Sequence, residues 1–115
     1  MAAHPSAQGG ELKLETEQSP AGITVRCSGR ITLSSVELLM STVRPLIPTT
    51  KRIVLDLTDL DYLDSSGLGA IVRLWSASRK AGVDLNVINL KKRIKDLFSL
   101  TNLSSIFEGV ENVGM

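Results

Sequence analysis

Near the N-terminus, apolar and polar residues alternate along two short segments. Leu12 and Leu14 alternate with polar neighbours, and Ile23, Val25 and Cys27 do the same after the segment QSPAG. Alternation with a period of two on both sides of a turn segment that contains proline and glycine is typical of a β-hairpin with one buried face. We therefore expect the Cys27 side chain to point into the core beside Ile23 and Val25, as a small buried apolar residue.

From Ser34 onward the apolar residues take up a helical spacing, at Val36, Leu39, Met40, Val43 and Ile47. Ser34 or Ser35 can cap the start of this helix, and Pro48 helps to end it. The segment RIVLDL follows, with a continuous apolar run over residues 53–55. Such a run, rich in β-branched residues, predicts a strand that is buried on both faces.

Helices and strands continue to alternate toward the C-terminus. Helical spacing returns after LDSSG, and the segment KAG at residues 80–82 supplies a glycine stop signal. VDLNVINL predicts a further strand, KKRIKDLFSL predicts a short helix, and TNLSSIFEGVENVGM could add an edge strand. The order β-β-α-β-α-β-α predicts an α/β fold in a single domain, with a mixed β-sheet and helices packed against it. The apolar residues expected on the inner side of the last two helices are Leu68, Ile71, Val72, Trp75, Ile94, Leu97 and Phe98.

Composition narrows the class of protein. A chain of 115 residues with 43% apolar and 3% aromatic residues can form one aliphatic core. Residues 1–10 lack the apolar centre of a signal peptide, so we expect a flexible tail there and one domain over residues 11–115. No apolar run approaches the ~20 residues of a membrane span, which argues against direct membrane insertion. Because no export signal is found, we expect the protein in the cytoplasm. The net charge of +1 gives no indication of nucleic-acid binding.

The segment LDSSGLG, residues 63–69, joins the predicted buried strand to the next helix and holds the main candidate site. The first N–H groups of a helix have no intrahelical acceptor, and Asp64 or Ser65 can satisfy one of them as the N-cap. Gly67 and Gly69 remove bulk from the first turns and permit tight packing against the strand. The simplest interpretation of the segment is therefore structural.

Three catalytic or ligand-binding interpretations fit the segment poorly. A serine hydrolase needs a G-x-S-x-G turn and a base, whereas the single histidine, His4, lies in the tail. A phosphate-binding loop needs G-x-x-x-x-G-K-[ST], which is absent. A metal site would need more ligands than Asp64 with Asp59 and Asp61, which we expect in a solvated turn, TDLDYLD. We therefore expect no catalytic residues, no cofactor and no metal.

A fourth interpretation is a regulatory phosphoserine. The exposed N–H groups and positive dipole at the start of a surface helix favour added negative charge, although Asp64 would repel it. If the same surface docks a partner, a phosphate there also adds a large desolvation cost to docking. Phosphorylation could then leave the fold intact and abolish a complex.

Three segments carry a resemblance to a known family: RIVLDLTDLDYLDSSGLGAIVRLW, AGVDLNVINL and IKDLFSLTNLSSIF. Together they resemble the STAS domain of anti-sigma factor antagonists, from about Leu12 to Val113. The resemblance implies a small non-enzymatic domain that binds an anti-sigma factor serine kinase and so frees the sigma factor for transcription. The kinase phosphorylates the serine after the motif aspartate, here Ser65, which ends the complex, and a serine phosphatase restores it.

The resemblance also implies which other residues form the switch loop and dock the partner: Asp64, Ser66, Gly67, Leu68 and Gly69. Relatives often carry G-E-L-D at the end of the second strand, where this chain has GRIT, residues 29–32. Arg30 and Thr32 are therefore possible partner contacts, and the departure leaves the identity of the partner open. The alternative is a STAS accessory subunit, or the cytoplasmic STAS domain, of a transport system.

Two further features have two interpretations each. Trp75 is expected in the core, with a role as an exposed partner anchor as the alternative. The basic run at residues 91–93 is expected to be a solvated helix start, with binding to an acidic patch of a partner as the alternative.

Overall fold

A computed structural model describes residues 11–100 of the chain. The elements follow the predicted order, with one added 3-10 helix after the first α-helix. They are β1 (Lys13–Ser19), β2 (Gly22–Ile31), α1 (Val36–Val43), the 3-10 helix (Arg44–Thr49), β3 (Arg52–Leu63), α2 (Ser65–Lys80), β4 (Asp84–Ile88) and α3 (Lys92–Leu100). The tail expected at residues 1–10 and the edge strand expected within 101–115 lie outside the described residues.

The four strands form one mixed sheet in the order β1-β2-β3-β4. β1 and β2 are the predicted antiparallel hairpin, while β3 runs parallel to both β2 and β4. Val25, Leu55 and Val87 lie side by side on β2, β3 and β4, and each is fully buried. Cys27 is buried on the same strand as Val25, as predicted.

The main core lies on one face of the sheet. Ile53, Leu55 and Leu57 share an apolar cluster with the buried residues of α1 and α2. Val54 and Asp56, which point to the opposite face, are only half-buried. The prediction that this strand is buried on both faces is therefore wrong, because the apolar side chains of the helices gather with the Leu55 face.

The first helix is shorter than its apolar spacing predicts. The α-helix ends at Val43, and the chain continues as a 3-10 helix over Arg44–Thr49. Pro45 accounts for the change, since a proline has no N–H to donate to the carbonyl four residues earlier. Pro48 lies inside the 3-10 helix rather than ending a helix. Ile47 is nevertheless buried, so its predicted place in the core is confirmed.

The strand β3 is longer than predicted, and the turn expected at TDLDYLD is wrong because this segment is part of the strand. Asp59 and Asp61 lie on β3, which continues to Leu63 because it remains paired with β2. Two register shifts in that pairing accommodate the polar stretch, and Leu60 and Leu63 are still buried. The ends of β2 and β3 therefore lie side by side, with Ile31 opposite Leu63.

The helix α2 ends where its glycine signal predicts. Gly82 has a φ of 74°, and Val83 N–H donates to the Ser78 carbonyl at 2.8 Å, as in a Schellman motif. The buried stripe of α2 contains the predicted Leu68 and Ile71 but also Leu74. Val72 and Trp75, predicted on that stripe, are half-buried; Trp75 still packs against the core cluster.

Candidate functional site: the start of the second helix

Asp64 is the N-cap of α2. Its backbone is extended, with φ −99° and ψ −176°, and its Oδ1 accepts the Gly67 N–H at 2.9 Å. The structure thus decides between the two residues that the sequence offered for this role. Because Asp64 caps the helix, the hydroxyl of Ser65 is not needed for capping. Ser65 is the first residue of α2 and is exposed, whereas Ser66 is half-buried.

Asp64 also ties the start of α2 to the loop after β2. Its second oxygen, Oδ2, accepts the Leu33 N–H at 3.2 Å, and its own N–H donates to the Ile31 carbonyl at 3.1 Å. The side chain of Leu33 itself points away from the core and is 77% exposed. One carboxylate therefore connects residues that are about thirty positions apart in sequence, a contact that no local pattern could reveal.

The two glycines of the first turns differ. A Cβ on Gly67 would lie 2.7 Å from the Ile31 carbonyl oxygen and 2.6 Å from Cδ1 of Leu63. A Cβ on Gly69 would meet only Nη1 of Arg73, at 3.7 Å. The expected tight packing is confirmed for Gly67 and is wrong for Gly69. Gly67 and Leu68 are both buried at the helix start.

Arg30, near the end of β2, and Thr32, in the loop that follows, lie beside the end of β3, where α2 begins. Ser35 Oγ accepts the Thr32 N–H at 2.9 Å and donates to the Arg30 carbonyl at 3.0 Å. Ser35 thus stabilises the loop. The sequence predicted Ser34 or Ser35 as the helix cap, and Ser35 is the N-cap residue of α1, but its hydroxyl makes no cap bond. The Arg30 guanidinium lies 4.8 Å from the centroid of the Tyr62 ring, a cation–π contact across the ends of β2 and β3.

A cavity of about 340 Å³ lies beside Ser65. One side is formed by the end of β3 and the start of α2, and the other side by α3, through residues Tyr62, Leu63, Asp64, Ser65, Arg93, Ile94 and Leu97. Sequence reasoning missed the contribution of α3, because nothing in the local pattern of residues 91–97 points toward a serine almost thirty positions earlier.

The start of α3 is held to β3 by a salt bridge. Lys91 Nζ donates to Asp61 Oδ1 at 2.8 Å, and this hydrogen bond together with the lysine charge lowers the pKa of Asp61. Lys92 pairs with Asp96 at 3.2 Å along the helix. Within the described part of the chain, the guanidinium of Arg93 has no ion-pair partner.

Over residues 11–100, no three His, Cys, Asp or Glu side chains gather in a way that could hold a metal ion. Over the same range, no helix is both long enough and apolar enough to cross a lipid bilayer.

The chain combines a mixed sheet with a helix that is capped by an aspartate and begins at an exposed serine. A comparison with known families agrees with this arrangement. Residues 13–114 match the STAS domain. The chain belongs to the STAS domain family. The match covers the sheet, α1, α2 and α3, and it includes the whole of the candidate site.

Individual STAS relatives agree in sequence and in fold. The chain is 30% identical to the anti-sigma-B factor antagonist of Bacillus subtilis over 97 residues, covering 84% of this chain and 89% of that protein. An anti-sigma factor antagonist from Mycobacterium paratuberculosis superimposes with a TM-score of 0.77 at 19% identity, covering 84% and 83% of the two chains. The Bacillus cell fate determinant SpoIIAA, in its phosphorylated form, gives a TM-score of 0.66 at 17% identity, covering 81% and 86%.

Proposed function

We propose that this STAS domain is an anti-sigma factor antagonist, a cytoplasmic binding module rather than an enzyme. It binds an anti-sigma factor with serine kinase activity, which frees a sigma factor for transcription. Phosphorylation of Ser65 ends the complex, and a serine phosphatase restores it. The proposal depends on one observation at the start of α2. Asp64 caps the helix, so the exposed hydroxyl of Ser65 is not needed for capping.

Ser65 is a better acceptor than Ser66 because of exposure. A kinase must bring the γ-phosphate of ATP within bonding distance of the serine oxygen, which an exposed first residue of a helix allows. Ser66 is half-buried in the same turn and would require the turn to open. The position after the aspartate also matches the acceptor implied by the family motif.

In the phosphorylation step, ATP bound to the kinase supplies the phosphoryl group. Ser65 Oγ forms a bond to the γ-phosphorus of ATP, the bond from that phosphorus to the β,γ-bridging oxygen breaks, and ADP leaves with the electron pair. The hydroxyl proton passes to a base or water at the kinase site. The phosphatase removes the phosphate from Ser65 by hydrolysis, in which a water molecule supplies one oxygen of the released phosphate.

The modification should weaken binding without unfolding the domain. The bonds that fix the helix start run from Asp64 to Gly67 and Leu33, and none of them uses the Ser65 hydroxyl. A phosphate adds a charge of roughly −1.5 to −2 beside the Asp64 carboxylate, on the surface that also presents Arg30 and Thr32. A partner docked there would have to desolvate that charge, and the complex would dissociate.

The test is calorimetric titration of the anti-sigma kinase with four proteins: wild type, Ser65→Ala, Ser65→Asp and, as a matched control, Ser66→Ala. We expect Ser65→Ala and Ser66→Ala to bind like wild type, and Ser65→Asp to bind about a hundredfold more weakly, which corresponds to roughly 2.7 kcal/mol. Equal affinity of Ser65→Asp and wild type would contradict the proposal, as would absence of binding by wild type.

A further inference from the structure

The cavity beside Ser65 has one cationic wall. Its lining includes three titratable side chains, Tyr62 and Asp64 from the β3–α2 junction and Arg93 from α3. Arg93 is the cation among the lining residues, and the opposite wall carries the exposed Ser65. The remaining lining residues are apolar.

The other basic residues near the cavity are already engaged. Arg30 lies over the Tyr62 ring, Lys91 is paired with Asp61, and Lys92 is paired with Asp96. The guanidinium of Arg93 has no such partner among residues 11–100. A cation that is left unpaired on the wall of a cavity is available to an anion that enters it.

Asp64 makes no ion pair with this guanidinium in the part of the chain that the structure describes. Its two carboxylate oxygens already accept the N–H groups of Gly67 and Leu33. Ser65 lines the same cavity, so a group attached to its Oγ can enter it. The planar guanidinium presents several N–H donors in a fork that fits two oxygens of one phosphate.

We propose that the phosphate carried by Ser65 enters this cavity and is bound by the guanidinium of Arg93. The inference rests on the proposed phosphorylation and adds an internal recognition site for the modified serine. In the phosphorylated protein, the phosphate then bridges the start of α2 and α3 and fills the groove between them.

The test uses the 115-residue chain with phosphoserine inserted at position 65 during translation, so it needs no kinase. The second pKa of the phosphate, near 6 in an unstructured chain, is measured by ³¹P NMR titration. A cation in contact at a solvent-exposed site should lower this pKa by about 0.7 of a unit. We compare the unsubstituted phosphoprotein with Arg93→Ala, Arg93→Lys and, as a matched control, Lys92→Ala.

We expect Arg93→Ala to raise the phosphate pKa by about 0.7 of a unit and Arg93→Lys to raise it by less. Lys92→Ala removes the same charge one residue away, outside the cavity lining, and should leave the pKa within about 0.2 of a unit because exposed charges at longer range are screened. Equal shifts for Arg93→Ala and Lys92→Ala, or none for Arg93→Ala, would overturn the inference. Failure of a kinase to modify Ser65 would instead contradict the proposed function and leave this titration unaffected.

Discussion

Gly67→Ala tests how closely the first turn of α2 approaches the end of β2. The added Cβ would lie 2.7 Å from both the carbonyl oxygen and Cγ2 of Ile31, and 2.6 Å from Cδ1 of Leu63. The leucine methyl group could rotate away, but the carbonyl oxygen is backbone and also accepts the Asp64 N–H at 3.1 Å. The clash can therefore be relieved only by moving the helix start away from the strand.

The expected cost follows from two opposing terms. Overpacking in a tight core costs about 1–3 kcal/mol, while replacing glycine by alanine inside a helix contributes about 0.5–1 kcal/mol of stability. The net effect for Gly67→Ala is a loss of about 0–2.5 kcal/mol, with a middle value near 1.3 kcal/mol, or a decrease in Tm of about 5–8 °C for a domain of this size.

Gly69→Ala is the matched control, because it makes the same chemical change two residues later in the same helix. Its Cβ would meet only Arg73 Nη1, at 3.7 Å. Without a clash, the helical term alone applies, and we expect a gain of up to about 1 kcal/mol. Urea unfolding followed by circular dichroism measures both variants. If Gly67→Ala is as stable as Gly69→Ala, the close approach of helix and strand is refuted.

Three further predictions concern single side chains. Asp64→Ala should lower the free energy of unfolding by about 1 kcal/mol through loss of the N-cap, and an unchanged urea midpoint would remove Asp64 from that role. Burial, with the nearby Asp56 carboxylate, raises the pKa of the Cys27 thiol to about 12, so a thiol reagent at pH 8 should label it only in denaturant; rapid labelling of the native protein would contradict this. Burial raises the pKa of Asp56, but hydrogen bonds from Thr58 and Asn89 outweigh it and hold that pKa below its usual value. The ionised carboxylate therefore stabilises the fold at neutral pH, and this contribution is lost as the pH falls through the folded pKa. We expect the free energy of unfolding of Asp56→Asn to fall less steeply than that of wild type as the pH decreases, and an identical pH dependence would refute this.

The parts of the fold that the sequence predicted well depend on local periodicity. Alternation over Ile23, Val25 and Cys27 correctly marked the buried side of the hairpin, and KAG correctly marked the end of α2. The end of α1 was misjudged because the apolar spacing passes through Pro45 to Ile47, and a period alone does not show that the backbone has tightened into a 3-10 helix.

The parts that the sequence could not predict depend on pairing between distant segments. The polar stretch after Leu57 looks like a turn, yet pairing with β2 holds it as a strand up to Leu63. In the candidate site, a helix cap at Asp64 or Ser65 could be predicted from position alone. The bond from Leu33 to Asp64 and the place of Arg93 on the cavity wall required the tertiary structure.

The central claim, that Ser65 is the phosphate acceptor, can be measured directly. The protein is incubated with the anti-sigma serine kinase and ATP, digested with trypsin, and the peptide covering residues 53–73 is sequenced by tandem mass spectrometry, since it contains both serines and Thr58. We predict a single phosphate on Ser65 in wild type and in Ser66→Ala, and none on this peptide in Ser65→Ala. Phosphate on Ser66 or Thr58, or an unmodified peptide in wild type, would contradict the account.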